Sequence, residues 1–150
     1  PSKYLYCGRA VAAESVLTAT AEAFADADLP MARLDTAYMA GLKALESLDY
    51  RKAVEILRPY RDYNSALAFM AADYNHSALD VLDDLDDSDS RVCYMKALIL
   101  SRLGVPDEAM KYFELSIAYE PYLEHRANLD PEMFQLVRKR QIILNENSYE

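Results

Sequence analysis

Apolar residues recur along this chain at helical spacing, in amphipathic stretches of about 8 to 17 residues parted by brief polar breaks, and no alternating strand pattern competes. The spacing predicts helices over 3–14, 17–28, 31–47, 50–61, 65–72, 75–86, 90–103, 106–119, 122–129 and 131–144. Several breaks have a chemical cause. Pro106 suits a first helical turn, where its missing N–H costs nothing, and Asp107 and Glu108 meet the positive end of the helix dipole. Pro121 stops that helix, and Asp130 ahead of Pro131 is a capping residue for the next. The tail "NENSYE" has no apolar stripe and is expected to fray.

A ladder of small and large residues runs through these stretches. Ala97 is followed by Ala109, Phe113, Ser116 and Pro121; Gly41 by Ala53, Leu57 and Tyr60; Gly8 by Thr20, Phe24 and Ala27, with Pro30 behind. Helices that cross closely need small residues where their backbones approach and a large one to fill the adjoining hole. Gly8 and Gly41 are therefore expected at crossings. Gly104 is expected in a turn between paired helices, where it tolerates positive φ.

Equivalent positions lie 33 residues apart from Thr20 to Ala53, 25 from Ala53 to Ala78 and 31 from Ala78 to Ala109. Together with "CYMKALILSRLGVPDEAMKYFELSIAYEP", which carries Ala97, Leu100, Gly104, Ala109, Phe113 and Pro121, this resembles the tetratricopeptide repeat family, whose unit is about 34 residues of helix, turn, helix. "AYMAGLKALESLDYRKAVEILRPY" and "SALAFMAADYNHSALDVLDDL" supply two further units, each with a "DY" turn, and a fainter one begins the chain. Cys93 stands where the family has an aromatic. The resemblance implies an all-α, right-handed α-solenoid of about four hairpins (3–30, 34–62, 64–87, 90–121) in one domain, with C-terminal capping helices at 122–144. The shortened third unit and the "DY" turns look like bacterial repeat proteins that work outside the cytoplasm.

In that family the concave face, lined by first helices, receives peptides or partner segments. Carried over, the resemblance implies a partner-binding stripe of Tyr38, Leu42 and Leu45 on one first helix and Tyr94, Leu98 and Arg102 on another. The alternative for these residues is packing against the neighbouring unit. Members that grip a terminal carboxylate do so with Lys and Asn where this chain has tyrosine and leucine, which favours an apolar or aromatic ligand. Twelve tyrosines against four phenylalanines suit rings with one wet end, at groove walls or between hairpins.

Composition narrows the function further. With 52% hydrophobic and 27% charged residues the chain reads as soluble and globular, and 150 residues can bury a core without metal or disulfide support. No run of about 18 apolar residues offers a membrane span. The chain starts at Pro1, as expected of a processed product or an excerpt of a longer protein. A net charge of −9 and the lack of a basic stripe argue against nucleic acid, "RKR" at 138–140 being too short to reverse that.

Seven aspartates and no Lys or Arg lie between 63 and 90. Their run at 80–90 fails the calcium-loop pattern, since the sixth and twelfth places from Asp84 hold Asp89 and Met95. It reads as a solvated helix end that attracts a basic partner. Cys7 and Cys93 fall three hairpins apart, each advancing about 10 Å, beyond the ~7 Å Cα limit of a disulfide, so two free, buried thiols are expected. His76 and His125 have no ligand or catalytic partner at helical spacing, and no phosphate loop, "GxSxG" or "HExxH" occurs. The expectation is a noncatalytic protein or peptide binder without cofactor or metal. The alternative is a structural spacer or homo-oligomerisation domain.

Overall fold

The computed structural model describes residues 35–148. The expected first unit at 3–30, with Cys7 and Gly8, lies outside them, as do residues 149 and 150. The described residues form helices and no strand: α1 (Thr36–Glu46), α2 (Tyr50–Leu57), a 3-10 turn η1 (Arg58–Tyr60), α3 (Tyr63–Ala71), α4 (Asn75–Asp83), α5 (Ser90–Arg102), α6 (Pro106–Tyr119), α7 (Tyr122–Asn128), η2 (Pro131–Met133) and α8 (Phe134–Asn147). They divide within α4 into two compact units, 35–81 and 82–148.

Aspartate starts most of these elements. Asp35, Asp49, Asp62, Asp89 and Asp130 each accept a backbone N–H of the first turn of α1, α2, α3, α5 and η2. This satisfies donors that a helix start otherwise leaves unpaired. Asp62 forms a capping box with Ser65, whose hydroxyl also donates to the Leu57 carbonyl at 2.7 Å, tying α3 to the end of α2. Pro106 opens α6 at its first turn, as the sequence predicts. Pro59 explains why the helix expected over 50–61 tightens at Leu57 into η1, because it has no N–H to continue the α ladder. At the other end α8 runs on to Asn147, into the tail expected to fray, and the Ser148 hydroxyl donates to the Asn145 carbonyl at 2.7 Å.

Three helix–turn–helix segments share one turn. Leu48, Asp73 and Gly104 take φ of 63°, 67° and 77°. The amide of each donates three residues back, to Leu45, Met70 and Ser101. The following amide donates five residues back, from Asp49 to Ala44, Tyr74 to Phe69 and Val105 to Leu100, at 2.8 to 3.0 Å. This pairing ends a helix by satisfying its last carbonyls through one left-handed residue. The two "DY" dipeptides are consequently not equivalent: the left-handed residue precedes Asp49 in the first and is Asp73 itself in the second.

Counted from that residue, the three segments fall into register. Ten positions before it stand Tyr38, Tyr63 and Tyr94; seven before, Gly41, Ala66 and Ala97; six before, Leu42, Leu67 and Leu98. Five after it stand Ala53, Ala78 and Ala109, and nine after, Leu57, Leu82 and Phe113. Every position of this set from Gly41 onward is buried, and the three leucines at the sixth place are fully so. Each such leucine contributes about 1.5–3 kcal/mol by leaving water. Within 35–81, α1 packs on α2 and α2 on α3; within 82–148, α5 packs on α6, α7, η2 and α8 pack together, α7 and α8 also pack on α6, and η2 on α5.

Gly41 marks a close approach of α1 to α2. A Cβ built there lies 2.5 Å from Leu57 Cδ2 and 3.1 Å from Ile56 Cγ2, and Leu57 is fully buried with no room to retreat. Gly41→Ala is expected to destabilise by about 1 kcal/mol net, since overpacking costs ~1–3 kcal/mol and alanine's helix preference returns at most ~1. Gly104→Ala, with open space around it but φ of +77°, should cost a similar amount for the different reason of backbone strain. Urea denaturation of both variants checks this.

Candidate functional site

In residues 35–81, Leu42 and Leu45 have no exposed surface, so neither is open to a ligand. Tyr38 is half-buried and its hydroxyl is committed: it donates to Asp62 Oδ2 at 2.5 Å and accepts from Asn64 Nδ2 at 2.8 Å. Its ring meets that of Tyr60 edge-on, with centroids 4.8 Å apart, and the Tyr60 hydroxyl bonds Asp35. Two helix-capping aspartates are thus each held by a tyrosine from another element, Asp62 by α1 and Asp35 by η1. Burial raises the Tyr38 pKa and the Asp62 carboxylate adds to that, while the bond from Asn64 opposes it.

In residues 82–148, Tyr94 and Leu98 are buried as well. The Tyr94 hydroxyl donates to Asp130 Oδ2 at 3.2 Å, and the Arg126 guanidinium lies 5.6 Å from its ring centroid. Arg102 forks onto Glu132, with Nη2 at 2.7 and 2.8 Å from its two oxygens and Nε at 3.0 Å from Oε1. Elements α7 and η2 therefore cover the stripe of α5. Of the six residues the sequence proposes for a groove, Leu42, Leu45, Tyr94 and Leu98 are packed inside, and Tyr38 and Arg102 are engaged by Asp62 and Glu132. The "RKR" cluster is also partly spent: Lys139 pairs with Asp107 at 3.0 Å, and Arg140 with Glu114 and Glu124 at 3.2 and 2.9 Å.

The acidic run finds its basic partner in the same chain. Lys96 has a side chain only 3% exposed, and its Nζ lies 2.7 Å from Asp87 and 3.4 Å from Asp83. The Tyr112 ring, 4.9 Å from Nζ, adds a further contact. Burial works to lower the Lys96 pKa, but the Asp87 bond, Tyr112 and the two carboxylate charges outweigh it, and the net shift is upward. Cys93 is free and buried; its thiol donates to the Asp87 carbonyl at 2.9 Å. Burial first, then the Asp87 carboxylate, push its pKa up, which disfavours the reactive thiolate. His76 and His125 are exposed, and among the described residues no group of three potential metal ligands assembles.

Open surface lies elsewhere. Arg51, Val54 and Glu55 of α2, Arg58 at the start of η1 and Tyr74 from the second turn line a depression of about 260 Å³. A smaller niche of about 140 Å³ runs from Ala127 to Val137 at the end of α7, edged by the exposed side chains of Leu129 and Phe134. Sequence reading passed over the first site because its residues lie on a second helix and across a turn. The spacing 51, 54, 55, 58 was the available signal. No helix among the described residues is long and apolar enough to cross a membrane. No family model, curated protein or solved structure matches the chain.

Tyr38→Phe should cost about 0.5–1.5 kcal/mol at neutral pH by leaving Asp62 and Asn64 without their shared hydroxyl. Because the folded-state pKa is raised, the phenol's contribution is complete below the ordinary value near 10 and is lost as pH rises above it. Urea midpoints of the wild type should fall faster than those of the variant above pH ~10, narrowing the gap between them.

Proposed function

We propose that this chain is a noncatalytic scaffold of tetratricopeptide-like hairpins, stacked as a right-handed α-solenoid, that binds a peptide segment or a partner protein. The observation that carries this reading is the threefold register: packing positions recur in small and large residues while the outward positions differ from segment to segment. Such an architecture presents a varied surface on a repeated frame. Its polar interior points the same way, since Lys96, Asp130 and Ser65 are all consumed in contacts that hold elements together. The expected stripe being packed, the contact surface belongs to the exposed faces.

A second reading, an oligomerisation or spacer domain, is favoured by α8. Phe134, Ile142, Ile143 and Leu144 are large apolar residues left exposed on a helix expected to act as a terminal cap. Light scattering after size exclusion, combined with an unbiased peptide-display selection on the purified chain, decides between the two. The scaffold reading expects a monomer and an enriched set of peptides. A stable oligomer that Ile142→Asp with Ile143→Asp dissociates, and no enriched peptide, would establish the second reading instead.

A further inference from the structure

We infer that the depression on α2 is a docking site for an extended acidic peptide segment carrying two carboxylates three residues apart, with an apolar residue between them; this deepens the scaffold reading and rests on it. The site has a floor, two charged walls and an aromatic edge. Val54, only 5% exposed, is the floor, since Ala53 and Leu57 turn the rest of α2 into the core. Arg51 and Arg58 flank it, seven residues apart along α2 and the start of η1 and hence about 10 Å along the axis. Tyr74, 53% exposed, closes the edge and is held there by the turn bond from its amide to the Phe69 carbonyl at 2.8 Å.

Charge makes the ligand acidic. Among the described residues no carboxylate pairs with Arg51 or Arg58, whereas Arg61, Arg91, Arg102 and Arg140 each hold an acid. In a chain with 25 acids to 16 bases, a concavity with two arginines and one glutamate, Glu55, is a local excess of positive charge. Arg58 is also oriented, its Cζ lying 5.6 Å from the Phe69 ring centroid, so less freedom is lost when it binds. In a polyproline-II segment, with three residues per turn and a rise of about 3.1 Å, carboxylates three apart lie on one face and span about 9 Å, close to the ~10 Å between the arginines. Each would meet one guanidinium fork, the chemistry for which arginine is suited. The intervening apolar side chain meets Val54 and Tyr74, and Glu55, between the arginines, accepts a peptide N–H.

Fluorescence anisotropy with the full chain tests this, using three labelled hexapeptides that have phenylalanine and leucine at positions 3 and 4 and glutamate, glutamine or phosphoserine at positions 2 and 5. The glutamate peptide is expected to bind, to weaken with added salt, and to lose at least tenfold in affinity with Arg51→Gln, Arg58→Gln or Tyr74→Ala. Arg138→Gln, an exposed arginine on α8, should leave it unchanged, and thermal melts confirm that each variant folds. Equal binding of the glutamine peptide, binding of the phosphoserine peptide alone, no binding at all, or full binding by the arginine variants overturns the inference. Display-selected peptides that bind Arg51→Gln as tightly as wild type would remove this site and leave the scaffold reading standing.

Discussion

At Gly41 the backbone of α1 lies directly against the buried Leu57 side chain of α2, with no room for a Cβ between them, and the packing of residues 35–81 is arranged around that approach. A side chain at 41 would part the pair; a smaller one at 57 would leave a cavity. The left-handed turn at Leu48 sets the distance along the chain from one to the other. Equivalent turns at Asp73 and Gly104 stand at the same offsets from buried small residues. The repeat is thus a repeat of geometry, with the residue at the turn itself free to be leucine, aspartate or glycine.

The tyrosines follow from that frame. At the tenth position before the turn, Tyr38 and Tyr94 each send a hydroxyl to an aspartate that caps a later element, Asp62 and Asp130. A phenylalanine would fill the space but leave the cap oxygen without its donor. Tyrosine is therefore used here as a clasp between elements, and its wet end is satisfied by protein. Lys96 does the same with opposite charge, drawing Asp83 and Asp87 onto α5.

Much of this was legible in the amino-acid order. Helix positions followed from apolar periodicity broken by Asp, Pro and Gly, and the close crossing at Gly41 followed from its spacing to Leu57. The turn at Leu48 was not legible, because a leucine at positive φ contradicts local preference and only the packing on both sides holds it there. The stripe of Tyr94, Leu98 and Arg102 read as a groove because its cover, Asp130 and Glu132, lies some thirty residues away and follows no helical period. Lys96 was hidden for another reason: its partners, Asp83 and Asp87, belong to a nearby run that by itself looks like solvated linker.

The unequal periods have a single origin. From Leu57 to Tyr63 is six residues and from Leu82 to Tyr94 is twelve, and this difference of six is the whole difference between the spacings of 25 and 31. The helix–turn–helix cassettes themselves are constant in length, and only the connectors vary. Length is added where loop closure grows slowly in cost and no buried side chain is displaced. The longer connector is acidic and Lys96 gathers its slack, so a splice there is tolerated only if it keeps a carboxylate within reach of that buried ammonium.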